Sequence, residues 1–512
     1  MKSSKAEGWL TNHLLFHYQR CNRRAVLDFH GDAEQRDPPS DYLLKLQQDS
    51  SKHRQAVLAE KQFQQPSYPQ GDWLTGASAT LTLMQQGVEQ IARGILITEG
   101  DAGFKLVSSP DLLVKQPGQS EFGDWLYVPT DIKLGRRPKQ DYQMVAAFHA
   151  QVLAAVQGAW PESSWLILRE GTTYEIDLEK RVPQMQMLMQ ACIQNLQSSH
   201  RPEVFIARSR CALCQWFSSC YQTAKADQHL SLLPGVTPAR YSQLQTLGLT
   251  TMNALAIADA EKLAALPGFS RQTAYRLVNQ AQATLQNRAI ANLSEFNDFP
   301  FALSPVDLPT APIELYFDIE AAPEQNLVYL HGVLVIDRQT QTETFHAFLA
   351  EKQADEQNIW EQFLNLVRQY PDAPIYHFCP YEVQTVKRLA VQYHAPMTQI
   401  EPLLDRFVDL HELVTKSAIL PTESYALKHI ARWIGFNWRD ADANGAQSIC
   451  WYDAWLTTCD RSFLDSILRY NEDDCRATYW VKNWLVEFAR KFWRDEASQI
   501  QDNTAHSIEN RI

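Results

Sequence analysis

The sequence has no apolar run approaching the about 18 residues that a membrane span requires. It has no Gly-x4-Gly-Lys-Ser/Thr loop, so any nucleotide-driven motor acting with it has to be a separate protein. An excess of basic residues is also missing: 47 Lys and Arg stand against 59 Asp and Glu, a net charge of -12. That balance excludes a protein coated in positive surface, but not one whose basic groups are confined to a groove. The first ten residues contain no apolar core followed by a small-residue cleavage site, so no secretion signal is expected and the cytoplasm is the expected compartment. In that reducing setting the nine cysteines are expected as metal ligands or buried thiols, not disulfides. What is present is ample apolar content, 45% over 512 residues, enough for about two to four domains.

Three of the cysteines form Cys211-x2-Cys214-x5-Cys220, and a fourth, Cys21, follows an expected helix over Leu10–Arg20. If one metal centre holds all four, residues 21–220 close into one domain with both ends tied together. Four thiolates suit either Zn²⁺ or an iron–sulfur cluster. Between them lie an expected helix over Tyr42–Gln64 carrying His53, a strand element over Leu106–Val114 with Asp111 in its middle, a strand over Trp125–Leu134, and a helix over Asp141–Val156 presenting Gln143. Period two puts Asp131 and Lys133 on one strand face. Two carboxylates and a histidine are suitable ligands for Mg²⁺ or Mn²⁺, and a lysine on the same face can reach a metal-activated water or the developing charge. Lys133, Arg136, Arg137 and Lys139 form a local basic run suited to phosphates.

The ordered set His53, Asp111, Asp131-x-Lys133 and Gln143, closed by the cysteine pattern, resembles the RecB-like branch of the PD-(D/E)xK nuclease superfamily over roughly residues 9–222. The resemblance implies His53, Asp111 and Asp131 as metal ligands, Lys133 and Gln143 as catalytic, and a [4Fe–4S] cluster on Cys21, Cys211, Cys214 and Cys220. The sequence departs from the family pattern at Asn22, where Pro is common, and at Ala147, where a Tyr often follows the Gln.

Two Pro-Gly turns, at Gly235 and Gly268, each precede an amphipathic run. They resemble tandem helix-hairpin-helix units, which would contact phosphates through backbone N–H groups, with Arg271 and Arg276 adding charge. A purely structural helical spacer is the alternative. Residues 291–312, rich in Pro and Asn, are expected as a linker.

Beyond Ile313 the expected order is three strands, a helix, a strand, a helix, a strand and further helices. The first strand ends in Asp318-x-Glu320, the second helix starts with Glu382, and the last carries Tyr470-x3-Asp474. The element order is that of a ribonuclease H-like sheet, and the motifs resemble those of the DEDD exonucleases in their Tyr-containing variant. That resemblance implies two divalent cations held by Asp318, Glu320, Glu382 and Asp474, with Tyr470 orienting the attacking water. Glu382 stands where the family usually has Asp; Asp409 and Asp473 are expected outside the ligand set.

The expected protein is thus a multidomain α/β chain. It comprises a RecB-like restriction-endonuclease-type α/β domain with the cysteine cluster (1–222), a small all-α helix-hairpin-helix region (223–290), a linker (291–312), a ribonuclease H-like 3′–5′ exonuclease-type domain (313–492) and a frayed tail (493–512). The expected activity is metal-dependent hydrolysis of DNA, on single strands or ends, in repair, recombination or processing. A helicase, if one takes part, is a separate partner. The alternatives are RNA trimming and a non-catalytic nucleic-acid-binding accessory subunit.

Overall fold

The computed structural model describes residues 8–292, 303 and 307–509, and the chain divides into two compact units at Ala226/Asp227. Part of the expected linker, residues 293–302 and 304–306, lies outside the described residues.

The first unit is built on a five-stranded sheet in the order Gln90–Ala92, Leu112–Ser120, Gly123–Ile132, Trp165–Ile167, Thr173–Glu175. Its pairings are antiparallel except for the parallel contact of Gly123–Ile132 with Trp165–Ile167, the two strands that flank the helix Gln140–Gln157. That helix is rich in Ala and buries most of its length, with Phe148, Val152 and Leu153 fully enclosed, as a helix apolar on most faces must be. Helix Leu178–Gln197 packs beside it through Met185, Met189 and Ile193. The expected strand over Leu106–Val114 is two strands, Lys105–Ser108 and Leu112–Ser120, in different sheets. Asp111 sits in the bend between them.

The second unit begins with four helices, Pro238–Thr246, Met252–Ala256, Ala260–Ala264 and Arg271–Gln286. Gly235 and Gly268 both lie in the left-handed region, at φ +87° and +82°, which favours glycine. These helices pack with the C-terminal part instead of standing alone. The short strand Ile290–Ala291, in the region expected as the start of the linker, pairs with Ala418–Ile419, and the Gln280 amide donates to the Leu420 carbonyl at 2.5 Å.

The remainder is a five-stranded sheet in the order Thr342–Leu349, Leu327–Asp337, Ile313–Ala322, Ile375–His377, Phe407–Asp409. The first three strands are antiparallel and the last two parallel. Alternation along the central strand sorts its side chains into two cores. Leu315, Phe317 and Ile319 face the helices Glu356–Gln369 and Tyr381–Gln392, while Tyr316 faces the helix Arg461–Glu509. That final helix docks through a stripe at helical spacing: Leu464, Ile467, Asn471, Cys475, Thr478, Lys482 and Leu485 are all buried. The helix continues to Glu509, past the residue-492 boundary expected for the domain and through most of the segment expected to be frayed.

Candidate functional site

Period two on the central strand puts Glu314, Asp318 and Glu320 on the face of the final helix. The three carboxylates meet different environments. Glu314 is fully buried and accepts from Lys482 Nζ at 2.9 Å and from Arg338 at 2.6 Å, so burial is offset and its pKa is held down. Asp318 and Glu320 meet Asp474 instead: one oxygen from each of the three lies within 4.8 Å of the others. Burial, and then the neighbouring carboxylates, push Asp318 and Glu320 well above the ordinary range, and burial pushes Asp474 up to about 7.

This carboxylate cluster is held by neutral donors. The Trp438 indole N–H donates to Asp474 Oδ1 at 2.6 Å, and the Tyr470 phenol hydrogen-bonds the same carboxylate. Burial and the surrounding acids raise the Tyr470 pKa, so the phenol is a donor and not a base. The Asn471 amide donates to Asp318 Oδ2 at 2.6 Å. Asn471 is fully buried, and its own Oδ1 has no hydrogen-bond partner. It fits only because residue 332, opposite Asp318 on the adjacent strand, is Gly: a Cβ there would lie 1.6 Å from Asn471 Oδ1. A register shift between Glu320 and Ala321 ends the regular pairing at the site.

Glu382, in the first turn of its helix, is buried and lies 3.3 Å from His377 Nδ1; it acts on Asp318 electrostatically but lies outside the tight triad. Asp409 is spent on backbone: its Oδ1 accepts from Cys379, His411 and Glu412 N–H groups. Asp473 turns to Arg439, whose Nε lies 2.8 Å from it.

In the first unit, adjacent antiparallel strands bring Asp111 and Asp131 together. The Asp111 N–H donates to Asp131 Oδ1 at 3.3 Å, and Asp111 Oδ2 accepts from Ile132 N–H at 2.8 Å. Here basic side chains are already in place. Lys133 Nζ lies 2.8 Å from Asp131 Oδ2, His149 Nε2 lies 3.4 Å from the same atom, and Arg54 Nε lies 2.6 Å from Asp111 Oδ1. Burial works against ionised Asp131, but Lys133 and His149 outweigh it and hold the carboxyl well below its usual range. Burial likewise opposes the Lys133 ammonium, and Asp131 and Asp111 outweigh it and raise its pKa. The Ser108 hydroxyl meets His149 Nδ1 at 2.6 Å and fixes the ring.

His53 and Gln143 stand apart from this pair. His53 lies beside Arg54 and Arg169; burial and these two cations lower its pKa, and its Nε2 is buried without a hydrogen-bond partner. The helix Asp41–Ala59 turns Arg54 toward Asp111 because Leu58, its one buried residue, is four positions on and on the same face. Gln143 is engaged at both ends, donating to the Pro138 carbonyl at 2.6 Å and accepting from Arg181 Nε at 2.8 Å. Sequence motifs do not single out Arg54, His149, Ser108, Asn471 or Trp438; only Asn471, adjacent to Tyr470, carries any positional signal.

The segment bearing Cys211, Cys214 and Cys220 docks on residues 28–37. Asp37 N–H donates to the Gln215 carbonyl at 2.7 Å, and Trp216 Nε1 donates to Asp28 Oδ1 at 2.8 Å. Cys21 caps the helix Asn22–His30, accepting from Arg24 N–H at 3.4 Å. The four thiols are near enough to influence one another: burial and then neighbouring sulfurs raise Cys211, to about 11, and also Cys214 and Cys220, with Arg24 beside Cys214 and Arg23 bonded to Cys220. Among the described residues, the acidic triad is the one set of three potential ligands whose atoms all lie within 4.8 Å.

In the helical region Arg240 donates to the carbonyls of both Gly235 and Gly268, at 2.8 and 3.2 Å, drawing the two turns together. Arg271 pairs with Glu261 at 2.7 Å, and Arg276 donates to the Thr415 carbonyl.

No curated protein matches the chain. Residues 315–486 match the model of RNase_H_2, a family of the RNase_H superfamily, and that match points to nucleic-acid hydrolysis. It spans most of the central strand, the carboxylate triad and the final helix to just beyond Lys482, and over this part the chain is similar to ribonuclease H-like domains.

Proposed function

We propose that the protein is a metal-dependent nuclease that hydrolyses phosphodiester bonds of DNA, on single strands or exposed ends, with its principal site at Asp318, Glu320, Glu382 and Asp474. One observation carries this reading: three carboxylates crowd within 4.8 Å with no cation paired to them among the described residues, while Glu314 on the same strand face has two. Such a cluster is poorly stable until a divalent cation arrives, and all-oxygen donors fit Mg²⁺ or Mn²⁺. When bound, the cations polarise the phosphate and lower the pKa of a coordinated water. The protein's own part is to fix those donors. Asn471 sets Asp318, Trp438 and Tyr470 set Asp474, and the protonated Tyr470 phenol orients the attacking water. Glu382, held by His377, supplies the longer-armed fourth ligand.

The first unit is a second, RecB-like nuclease site in this reading, with Asp111, Asp131 and His53 as ligands to Mg²⁺ or Mn²⁺, and Lys133 and Gln143 assisting. The cysteines hold a structural [4Fe–4S] cluster. The helical turns at Gly235 and Gly268, with Arg271, guide the phosphate backbone, and any unwinding is left to a separate helicase.

The test is degradation of 5′- and 3′-labelled single-stranded DNA and RNA in Mg²⁺ and in Mn²⁺, comparing wild type with Asp131→Ala, Asp474→Ala and the double variant. Loss of most cleavage in Asp474→Ala is expected, with the labels reporting polarity. Preference for RNA would reassign the substrate. No metal-dependent cleavage by the wild type would leave a nucleic-acid-binding accessory subunit. Anaerobically purified protein should be brown with stoichiometric iron; colourless protein carrying zinc would overturn the cluster assignment.

A further inference from the structure

The first site sets two carboxylates, Asp111 and Asp131, against two fixed cations, Lys133 and Arg54. Lys133 is part of the strand motif. Arg54 is not, yet its Nε stands 2.6 Å from Asp111 Oδ1, on the carboxylate oxygen left over once Oδ2 has accepted the Ile132 N–H. A divalent cation held by Asp111 and Asp131 would compete with Arg54 for that oxygen. The contact is ionic, not a directed hydrogen bond, since Arg54 Nε is buried without a hydrogen-bond partner. The Arg54 side chain is 30% exposed, so the guanidinium can withdraw without dismantling a core. One position away on the same helix, His53 keeps a buried Nε2 with no partner, a lone pair suited to a metal.

We propose that Arg54 is the resident counter-ion of the first site: it occupies the cation position at Asp111, is displaced when a divalent cation binds, and then pairs with a phosphate of the nucleic acid. The proposal rests on the reading of this site as a nuclease centre. A guanidinium moves readily from carboxylate to phosphate because both offer the same paired-oxygen geometry. The exchange couples the two ligands: nucleic acid withdraws Arg54 and favours the cation, and the cation releases Arg54 to favour nucleic acid.

Mn²⁺ binding, followed by the electron paramagnetic resonance of free Mn²⁺, tests this in the full-length chain with the second site disabled by Asp318→Asn and Asp474→Asn. Arg54→Met should bind Mn²⁺ at least about ten-fold more tightly than the parent in the absence of nucleic acid, because a cation competing for Asp111 is gone. Arg54→Lys should stay weak. A phosphorothioate oligonucleotide should tighten Mn²⁺ binding to the parent and leave Arg54→Met unchanged, and residual cleavage by Arg54→Met should fall. Equal Mn²⁺ affinity in parent and Arg54→Met, or equal tightening by the oligonucleotide, overturns the role of Arg54 and leaves the site assignment standing. Mn²⁺ binding that is absent from both, or that Asp111→Asn does not reduce, overturns the site assignment together with it.

Discussion

Both units gather carboxylates at one end of a sheet, but they handle the charge in opposite ways. In the first unit Lys133, His149 and Arg54 are drawn onto Asp131 and Asp111; Asp131 is held firmly ionised, while burial and then Asp131 push Asp111 up. In the second, the nearest partners of Asp318 and Asp474 are an amide, an indole and a phenol, and the carboxyls are pushed toward their protonated forms. A carboxylate pair already matched by basic side chains would have to be opened to take a divalent cation. A site lacking a cation is poised to take one and gains stability from it. Glu314, paired with Lys482 and Arg338, shows that the second unit can neutralise a buried acid where catalysis does not require otherwise.

The sharpest way to break this contrast is at the backbone. Gly332→Val should be the most damaging of these single changes, costing about 3 kcal/mol or more, since its Cβ falls on Asn471 Oδ1. Thermal unfolding should show the loss in the second unit alone, together with weaker divalent binding. Next comes the cation itself. Saturating Mg²⁺, at a hundred times its Kd, should stabilise the second unit by about 2.7 kcal/mol, while the first unit's transition stays put without nucleic acid. Calorimetry showing both transitions moving together would erase the distinction.

The size of that gain should depend on pH, with a definite sign. Metal-free Asp474 titrates at about 7, above its ordinary 3.8, so the folded unit keeps a proton that the unfolded chain releases earlier. Metal-free stability therefore falls as pH rises from about 4 to about 7, the raised Asp318 and Glu320 act in the same direction, and the Mg²⁺ gain grows as stability falls. A smaller effect is expected from Asn471→Ala, which frees Asp318 to rotate: about 10- to 100-fold weaker metal binding, read by titration calorimetry. The smallest is Ser108→Ala, about 1 kcal/mol confined to the first unit, as His149 loses its orienting hydroxyl.

The parts of this arrangement legible in the sequence are those that depend on local period. Asp318 and Glu320 two apart on a strand, and Tyr470 and Asp474 four apart on a helix, face one another because alternation and helical pitch are properties of short segments. Arg54 on Asp111 and His149 on Asp131 are pairings between distant segments, invisible to any window of sequence. By residue type His53 is the natural ligand on its helix; a single apolar anchor at Leu58 decides that its neighbour faces the carboxylate. The two-residue strand Ile290–Ala291 exists only through its partner. Gln143 stands out in the sequence by its position after the lysine, but the Pro138 carbonyl and Arg181 claim both ends of its amide.

The final helix also sets when the second site can exist during synthesis. Asn471 and Asp318 are separated by 153 positions, and Lys482, the partner of Glu314, lies further on. As the chain leaves the ribosome, the strand with its acids emerges long before the helix that completes the cluster. A truncated product ending short of that helix would carry the sheet, the exposed acids and no assembled centre. The acidic cluster of the second unit therefore assembles only after the helix that begins at Arg461 has been made.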